Sequence, residues 1–479
     1  ILQINNLKNL SVYNYKTKPF EHQRQSLIEG AAPFNFAYFM EMGTGKTKVA
    51  IDNAAYLFQK EEIEFVFVIA PNSVYRNWKK EIDFHCPIES NIYIWKVTKD
   101  KTFKIDPKKI TFILMNVEAL SHASGKKWLE YKLLKHGKTS MIILDESTTI
   151  KNLKASRTKA IIKLGKLAKY RRILTGSPIT KSPLDLFSQC AFLDKKLLGY
   201  ENYTVFKSRY AVMYSIERGG YNIQIPKYYV NLEELEYKLK NFSYRVRKKD
   251  CLDLPPKMYV QRHVELPEEQ RKAYEQLKAS ALIVLKNDEV SYNNKLTELL
   301  KLQQVANGFV KTNDGKIVDF KSNAKLKELM SILEESEDKC IIWANYVHNI
   351  EMIKKKLEET YGKDSVVSIY GKDSVEVRND SVEKFQHDDR CRFLVGNPTV
   401  GGYGLTLTAA RYVIYFSNSY NLEVRQQSED RAHRYGQTSQ VTYIDLIATD
   451  TIDEMVLHNL DNKIELSAKT LGEQVQKWL

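Results

Sequence analysis

Short apolar runs alternate with amphipathic segments over the first third of the chain, and the same pattern returns over the last third. Phe65–Ala70 (FVFVIA), Ile110–Met115 (ITFILM), Met141–Leu144 (MIIL) and Arg172–Leu174 (RIL) make the first set. Runs this short, without polar alternation, predict strands buried on both faces, as in a parallel sheet. A second block begins near Lys325, with Cys340–Trp343, Val366–Tyr370, Arg392–Val395, Tyr412–Phe416 and Val441–Leu446 as its strands. Strands spaced by helices give βαβ units, so each block predicts a doubly wound sheet. Between the blocks, from Lys195 to about Tyr259, the pattern is helical and charged, and Leu254-Pro255-Pro256 is a stop. Glu268–Leu285 and Lys295–Val305 then have the spacing of amphipathic helices.

The predicted fold class is therefore α/β, two parallel-sheet lobes with helical insertions between them. Lobe 1 is expected over 1–194 and a helical insertion over 195–262. A helical protrusion is expected over 263–320, and lobe 2, closed by a C-terminal helix, over 321–479. Two sheets joined by a helical stretch predict a cleft, where ligands usually bind.

One loop adds chemistry. Met42-Gly43-Thr44-Gly45-Lys46-Thr47 follows the apolar stretch Ala37–Met40 and precedes a helix-like run, Val49–Phe58. That is the strand–loop–helix context of a phosphate-binding loop. Gly43 and Gly45 let backbone N–H groups turn toward phosphates, and the helix N-terminus adds partial positive charge. Lys46 would reach the β- and γ-phosphates of ATP and Thr47 would ligate Mg²⁺. Met40 stands where the full pattern has its first glycine, and the plain alternative is a glycine turn before a helix. Asp145-Glu146 follows the strand Met141–Leu144, which suits Asp145 to holding Mg²⁺ through water and Glu146 to polarising the attacking water. In the second block, Arg431 and Arg434 are three apart, which places them on one helix face. Such a pair can stabilise charge on a γ-phosphate, or can simply line a basic surface.

The net charge of +14 and pI near 9.1 point to a polyanion, either nucleic acid or an anionic membrane surface. Abundant lysine, asparagine, isoleucine and tyrosine also fit an A/T-rich coding genome, which inflates lysine by itself. The five cysteines (Cys86, Cys190, Cys251, Cys340, Cys391) show no C-x-x-C spacing, which predicts reduced thiols and no zinc or other metal cluster. No apolar run is long enough to span a membrane. The chain starts at Ile1, so an initiator methionine or short leader is expected to precede it.

With these elements placed, the sequence resembles the Swi/Snf-like group of superfamily 2 helicases from about Lys18 to Met455. Lys18-Pro19-Phe20-Glu21-His22-Gln23 is similar to the segment whose glutamine reads adenine, which gives Gln23 that role. Glu41–Thr47 resembles E-M-G-x-G-K-T, and Ala70-Pro71-Asn72-Ser73 with Trp78 and Glu81 resembles a DNA-backbone contact. Asp145-Glu146 with Lys151-Asn152, Leu174-Thr175-Gly176-Ser177-Pro178, Arg245–Asp250 with Leu254-Pro255, and Ile341–Trp343 are similar to further motifs in order. Gly401-Gly402-x-Gly404-Leu405 matches G-G-x-G, placing Gly404 with the nucleotide residues Gly43, Thr44, Gly45, Lys46 and Thr47. The run Gln427-x-x-Asp430-Arg431-x-His433-Arg434-x-Gly436-Gln437 is the most group-specific.

The departures are Ser147-Thr148 after Asp-Glu, Asn397-Pro398 in place of S-T, Thr406 in place of asparagine and Leu422 in place of proline.

The resemblance implies two RecA-like lobes, with Lys46, Asp145, Glu146, Gln427, Arg431 and Arg434 as catalytic residues and ATP and Mg²⁺ as cofactors. It also implies DNA as partner, held through its backbone, with Ser73, Arg76, Asn116, Lys151, Asn345, Lys372 and Thr399 as candidate contacts. Each of these is as readily a solvated or capping residue. Tyr346, Tyr403 and Tyr420 fit core or hinge packing better than base stacking. The expected activity is an ATP-dependent DNA helicase or translocase, acting as a monomer on forked, branched or duplex DNA in replication, recombination or repair. A compact bacterial or phage factor is expected, cytoplasmic, or nuclear in a eukaryote. Duplex translocation without strand separation, an RNA helicase and an ATP-gated clamp are the alternatives.

Overall fold

A computed structural model of the chain describes residues 13–71, 74–75, 77–96, 106–218, 221–286, 292–312, 314–401 and 405–473. The chain divides into two compact units. Unit 1 takes the chain up to Val212, Tyr228–Asp253 and a C-terminal stretch from Leu466; unit 2 takes Met213–Lys227 and Leu254–Glu465.

Unit 1 is built on a seven-stranded sheet in the order β3-β4-β2-β5-β6-β1-β9. Its strands are β1 (Asn35–Met40), β2 (Phe65–Ala70), β3 (Ser90–Ile94), β4 (Ile110–Asn116), β5 (Ser140–Asp145), β6 (Tyr170–Leu174) and β9 (Ser243–Val246). Every pairing is parallel. β2 and β5 are buried at every position, which is why they read as unbroken apolar runs rather than alternating ones. One face of this sheet packs with helices Lys46–Gln59 and Asn77–His85 into a core that includes Tyr38, Val66, Val68, Trp78 and Ile143.

Unit 2 repeats the architecture with six parallel strands in the order β10-β17-β16-β13-β15-β14. These are β10 (Lys257–Val264), β13 (Cys340–Trp343), β14 (Val366–Ile369), β15 (Phe393–Gly396), β16 (Tyr412–Tyr415) and β17 (Val441–Ala448). The helices Glu268–Lys286 and Tyr292–Ala306, a small hairpin of β11 (Phe309–Lys311) and β12 (Ile317–Asp319), and the helix Ile452–Thr470 complete the described part. The α/β class and the two doubly wound sheets agree with the pattern of the sequence.

The stretch 195–262 corrects the helical expectation. It contains helices Tyr203–Tyr210 and Leu232–Lys240, but also a two-stranded hairpin of β7 (Ala211–Arg218) and β8 (Tyr221–Tyr229), then β9 and β10. The hairpin segments are rich in tyrosine, valine and isoleucine, with Gly219-Gly220 between them in the sequence, which is strand and hairpin-turn chemistry. β9 and β10 are polar because each is the edge strand of its sheet, and edge strands carry charge without loss of a core face. Among the described residues, no helix is long and apolar enough to cross a membrane.

Candidate functional site

β1 ends at Met40, and the next helix starts at Lys46. The loop between them turns on Gly43 (φ 81°) and Gly45 (φ 85°), a backbone region that costs other residues roughly 1–2 kcal/mol. A side chain at Gly45 would also meet Gln23, whose Nε2 lies 2.1 Å from the place of a Cβ. The loop is braced from below. Thr44 Oγ1 donates to the Glu41 carbonyl at 2.7 Å, and Gln23 Nε2 donates to the Thr44 carbonyl at 3.1 Å. Gln23 Oε1 accepts from the Phe20 N–H at 3.0 Å, so the amide expected to read adenine supports the glycine loop in this structure.

β5 delivers Asp145 and Glu146 beside this loop. Lys46 Nζ lies 3.5 Å from Glu146 Oε1, and both side chains are nearly buried. Glu146 adopts a left-handed backbone (φ 48°), strain of the kind stored at functional positions. Asp145 receives one donor on each oxygen: the Glu146 N–H at 3.0 Å and the Trp78 indole N–H at 2.9 Å. Burial pushes the Asp145 pKa up, while the Lys46 charge and the Trp78 hydrogen bond pull the other way.

Ser147, a departure from the resembled motif, donates to Gln189 Oε1 at 2.6 Å. Gln189 Nε2 donates in turn to the Pro178 carbonyl at 2.7 Å, tying the acidic pair to Leu174–Pro178. Arg245 joins the same region. Its guanidinium donates to the Gly176 carbonyl at 2.7 Å, and it pairs with Glu41 at 3.4 Å and with Glu473 at 2.6 Å.

In unit 2, the helix Leu422–Ala432 carries Gln427 and Arg431, both buried. It ends at Ala432, two residues short of Arg434. His433 leaves helical geometry (φ −102°, ψ 82°), and its ring Nε2–H donates to the Pro255 carbonyl at 2.7 Å. Arg434 therefore lies beyond the helix, which corrects the single-face reading. The two arginines are nonetheless neighbours, because both donate to the Leu405 carbonyl, Arg431 at 3.4 Å and Arg434 at 3.2 Å. Gln437 closes the turn with hydrogen bonds to the carbonyls of Thr408, Ala410 and Ala432.

This helix is held by a buried ionic network that the sequence reading missed. Glu429 accepts from Arg425 at 2.8 Å, Lys257 at 3.0 Å and the Tyr259 hydroxyl at 2.8 Å. Arg425 also pairs with Asp445 and lies 3.5 Å over the Tyr415 ring. Burial alone would raise the Glu429 pKa, but Lys257 and Arg425 hold it below its ordinary value.

The candidate strand contacts follow the C-terminal ends of the parallel strands, where open α/β sheets bind ligands. Asn116 ends β4 and Lys151 follows β5; Asn345, Lys372 and Thr399 follow β13, β14 and β15. Lys151 is engaged with Thr180 Oγ1 at 2.7 Å. Asn397 links two of them, donating to the Asn345 carbonyl at 2.9 Å and accepting from the Thr399 N–H at 2.9 Å. Ser73, Arg76, Tyr403 and Gly404 lie outside the described residues. Among the described residues, no three His, Cys, Asp or Glu side chains converge on a common metal position, and all five cysteines are free.

Residues 38–311 match the SNF2-related domain, and residues 322–436 match the helicase conserved C-terminal domain. The first match covers more than half of the chain, and the chain belongs to the SNF2-related family. It is 30% identical over 91% of its length to an uncharacterized ATP-dependent helicase, MG018, of Mycoplasma genitalium. It is 27% identical over 91% of its length to the DNA annealing helicase and endonuclease ZRANB3 of Bos taurus. The chain spans 40% and 39% of those two relatives. Among solved structures it is similar to the Sulfolobus solfataricus SWI2/SNF2 ATPase core in complex with dsDNA, with 28% identity, 93% and 91% of the two chains covered and a TM-score of 0.43.

Proposed function

We propose that the chain is an ATP-driven DNA motor, a nucleic-acid-stimulated ATPase whose hydrolysis drives movement on DNA and remodelling of forked or branched substrates. The observation that carries this reading is the cluster of Lys46, Asp145 and Glu146 against the glycine loop, inside a domain of the SNF2-related family. Backbone N–H groups of the loop and Lys46 bind the phosphates. Glu146 orients and deprotonates the attacking water, and Arg431 and Arg434 offset charge on the γ-phosphoryl oxygens in the transition state.

Mg²⁺ fits the residues present. Thr47 and Asp145 offer hard oxygen donors of the kind that would hold it. When bound, it neutralises charge between the β- and γ-phosphates. The name of the DNA annealing helicase relative supports DNA as the substrate, and the net charge of +14 supports a polyanionic track.

The test is ATP hydrolysis at fixed salt without nucleic acid and with single-stranded DNA, blunt duplex, forked DNA and RNA, with Glu146→Gln as control. Strongest stimulation by forked DNA, with release of a labelled strand, is the expected result. Stimulation by duplex without strand release makes the chain a translocase only. RNA as the best activator, or unchanged turnover in Glu146→Gln, overturns the proposal.

A further inference from the structure

Trp78 is buried, 1% exposed, in the helix Asn77–His85, and nothing in the reaction above uses it. Its indole N–H points at Asp145 Oδ2 from 2.9 Å. An indole can donate but cannot accept, so this hydrogen bond has one polarity and fixes which oxygen faces the helix. Asp145 Oδ1 is fixed separately by the Glu146 N–H. A carboxylate buried to this depth needs donors to stay in place, and these two occupy one direction on each oxygen while leaving the others open. The indole is also a neutral donor, so it orients the carboxylate without cancelling its charge, as a lysine would. The ring itself is immobilised by the core around Tyr75 and Ile82.

We propose that Trp78 is a positioning residue for the cation-binding carboxylate: its N–H sets the rotamer of Asp145 so that the open lone pairs face the glycine loop. This rests on the assignment of Asp145 to Mg²⁺ made above. Groups that hydrogen-bond a ligating side chain typically change metal affinity 10- to 100-fold when removed.

The experiment is equilibrium binding of a fluorescent ADP analogue as Mg²⁺ is titrated, which needs no turnover. Two variants remove the donor. Trp78→Phe also leaves a cavity, so the deciding variant carries β-(3-benzothienyl)alanine at position 78, in which sulfur replaces the N–H and the shape is kept. The half-saturating Mg²⁺ concentration is expected to rise about tenfold in that variant, with binding in excess chelator unchanged. A wild-type Mg²⁺ midpoint in the benzothienyl variant overturns the proposal, whatever Trp78→Phe does. Asp145→Asn separates the two levels: it is expected to abolish the Mg²⁺ dependence. If it instead keeps the wild-type midpoint, the assignment of Asp145 fails, and the proposal for Trp78 with it.

Discussion

Lys257, the first residue of β10, places its ammonium 3.0 Å from the buried carboxylate of Glu429, two residues before Arg431. The edge strand of the six-stranded sheet is thus joined to the helix that carries Arg431. Glu429 also answers Arg425 and the Tyr259 hydroxyl, so its charge is shared among three donors, two on β10 and one on its own helix. Removing one member of such a network leaves the others buried and uncompensated, at a cost of about 3–5 kcal/mol. Glu429→Gln keeps the shape and removes the charge. The calorimetric transition of the unit containing it is expected to lose about 3 kcal/mol, and a loss below about 1 kcal/mol would show that the network does not hold this helix.

The same carboxylate sets a pH signature. Lys257 and Arg425 hold the folded-state pKa of Glu429 below its ordinary 4.5, against the effect of burial. A depressed acid contributes stability that is complete above its unfolded pKa and is lost as pH falls through the folded one. The wild type should therefore lead Glu429→Gln by a constant margin from neutral pH down to about 5, and the margin should shrink on further acidification. Urea titrations of both proteins at a series of pH values measure this margin. A margin that grows below pH 4.5 would contradict the assigned direction.

Much of the architecture was legible because its strands are buried on both faces. Phe65–Ala70 and Met141–Leu144 announce themselves as unbroken apolar runs, and the glycine loop is marked by its strand–helix context. The hairpin β7–β8 was not, because its residues mix tyrosine and isoleucine with charge, and a helical period can be read through such a mixture. Arg434 was placed on a helix face because spacing alone cannot reveal that His433 leaves the helix to meet Pro255. Arg425 and Lys257 escaped for a different reason, as did the contact of Trp78, which was grouped with a DNA-backbone motif but is buried against Asp145. The pairs Trp78–Asp145, Arg425–Asp445 and Lys257–Glu429 lie between 20 and 172 residues apart, and only the fold brings them together. Ser147 reads as a lost motif residue in the sequence, yet its hydroxyl makes the contact to Gln189.

The shared Leu405 carbonyl gives the arginine pair a common resting place. If the guanidinium groups act on transition-state charge, their loss should appear in kcat rather than in nucleotide affinity. Arg434 is the cleaner target, being less buried than Arg431. Arg434→Ala is expected to lower kcat about 10³-fold while the dissociation constant for ADP stays within a few-fold of wild type. Arg434→Lys should not restore the rate, because an ammonium cannot present the planar fork of a guanidinium. Full turnover in either variant would remove Arg434 from the reaction.

Lys372 offers a test of the track itself. It is exposed after β14, at the same sheet end as Asn345 and Thr399, which Asn397 holds together. A lysine that neutralises one phosphate releases about one counterion, so its loss should flatten the plot of log affinity against log salt by about 0.9. Lys355 is an exposed lysine on the helix Val347–Tyr361, so its replacement controls for the change in net charge. Duplex affinity of Lys372→Ala, measured by fluorescence anisotropy from low to moderate salt, is expected to fall most at low salt and to converge with wild type as salt rises. Lys355→Ala should leave the slope unchanged. Equal slopes in all three proteins would mean that the strand does not pass the C-terminal ends of β13, β14 and β15, and the nucleic-acid face would have to be sought elsewhere on the molecule.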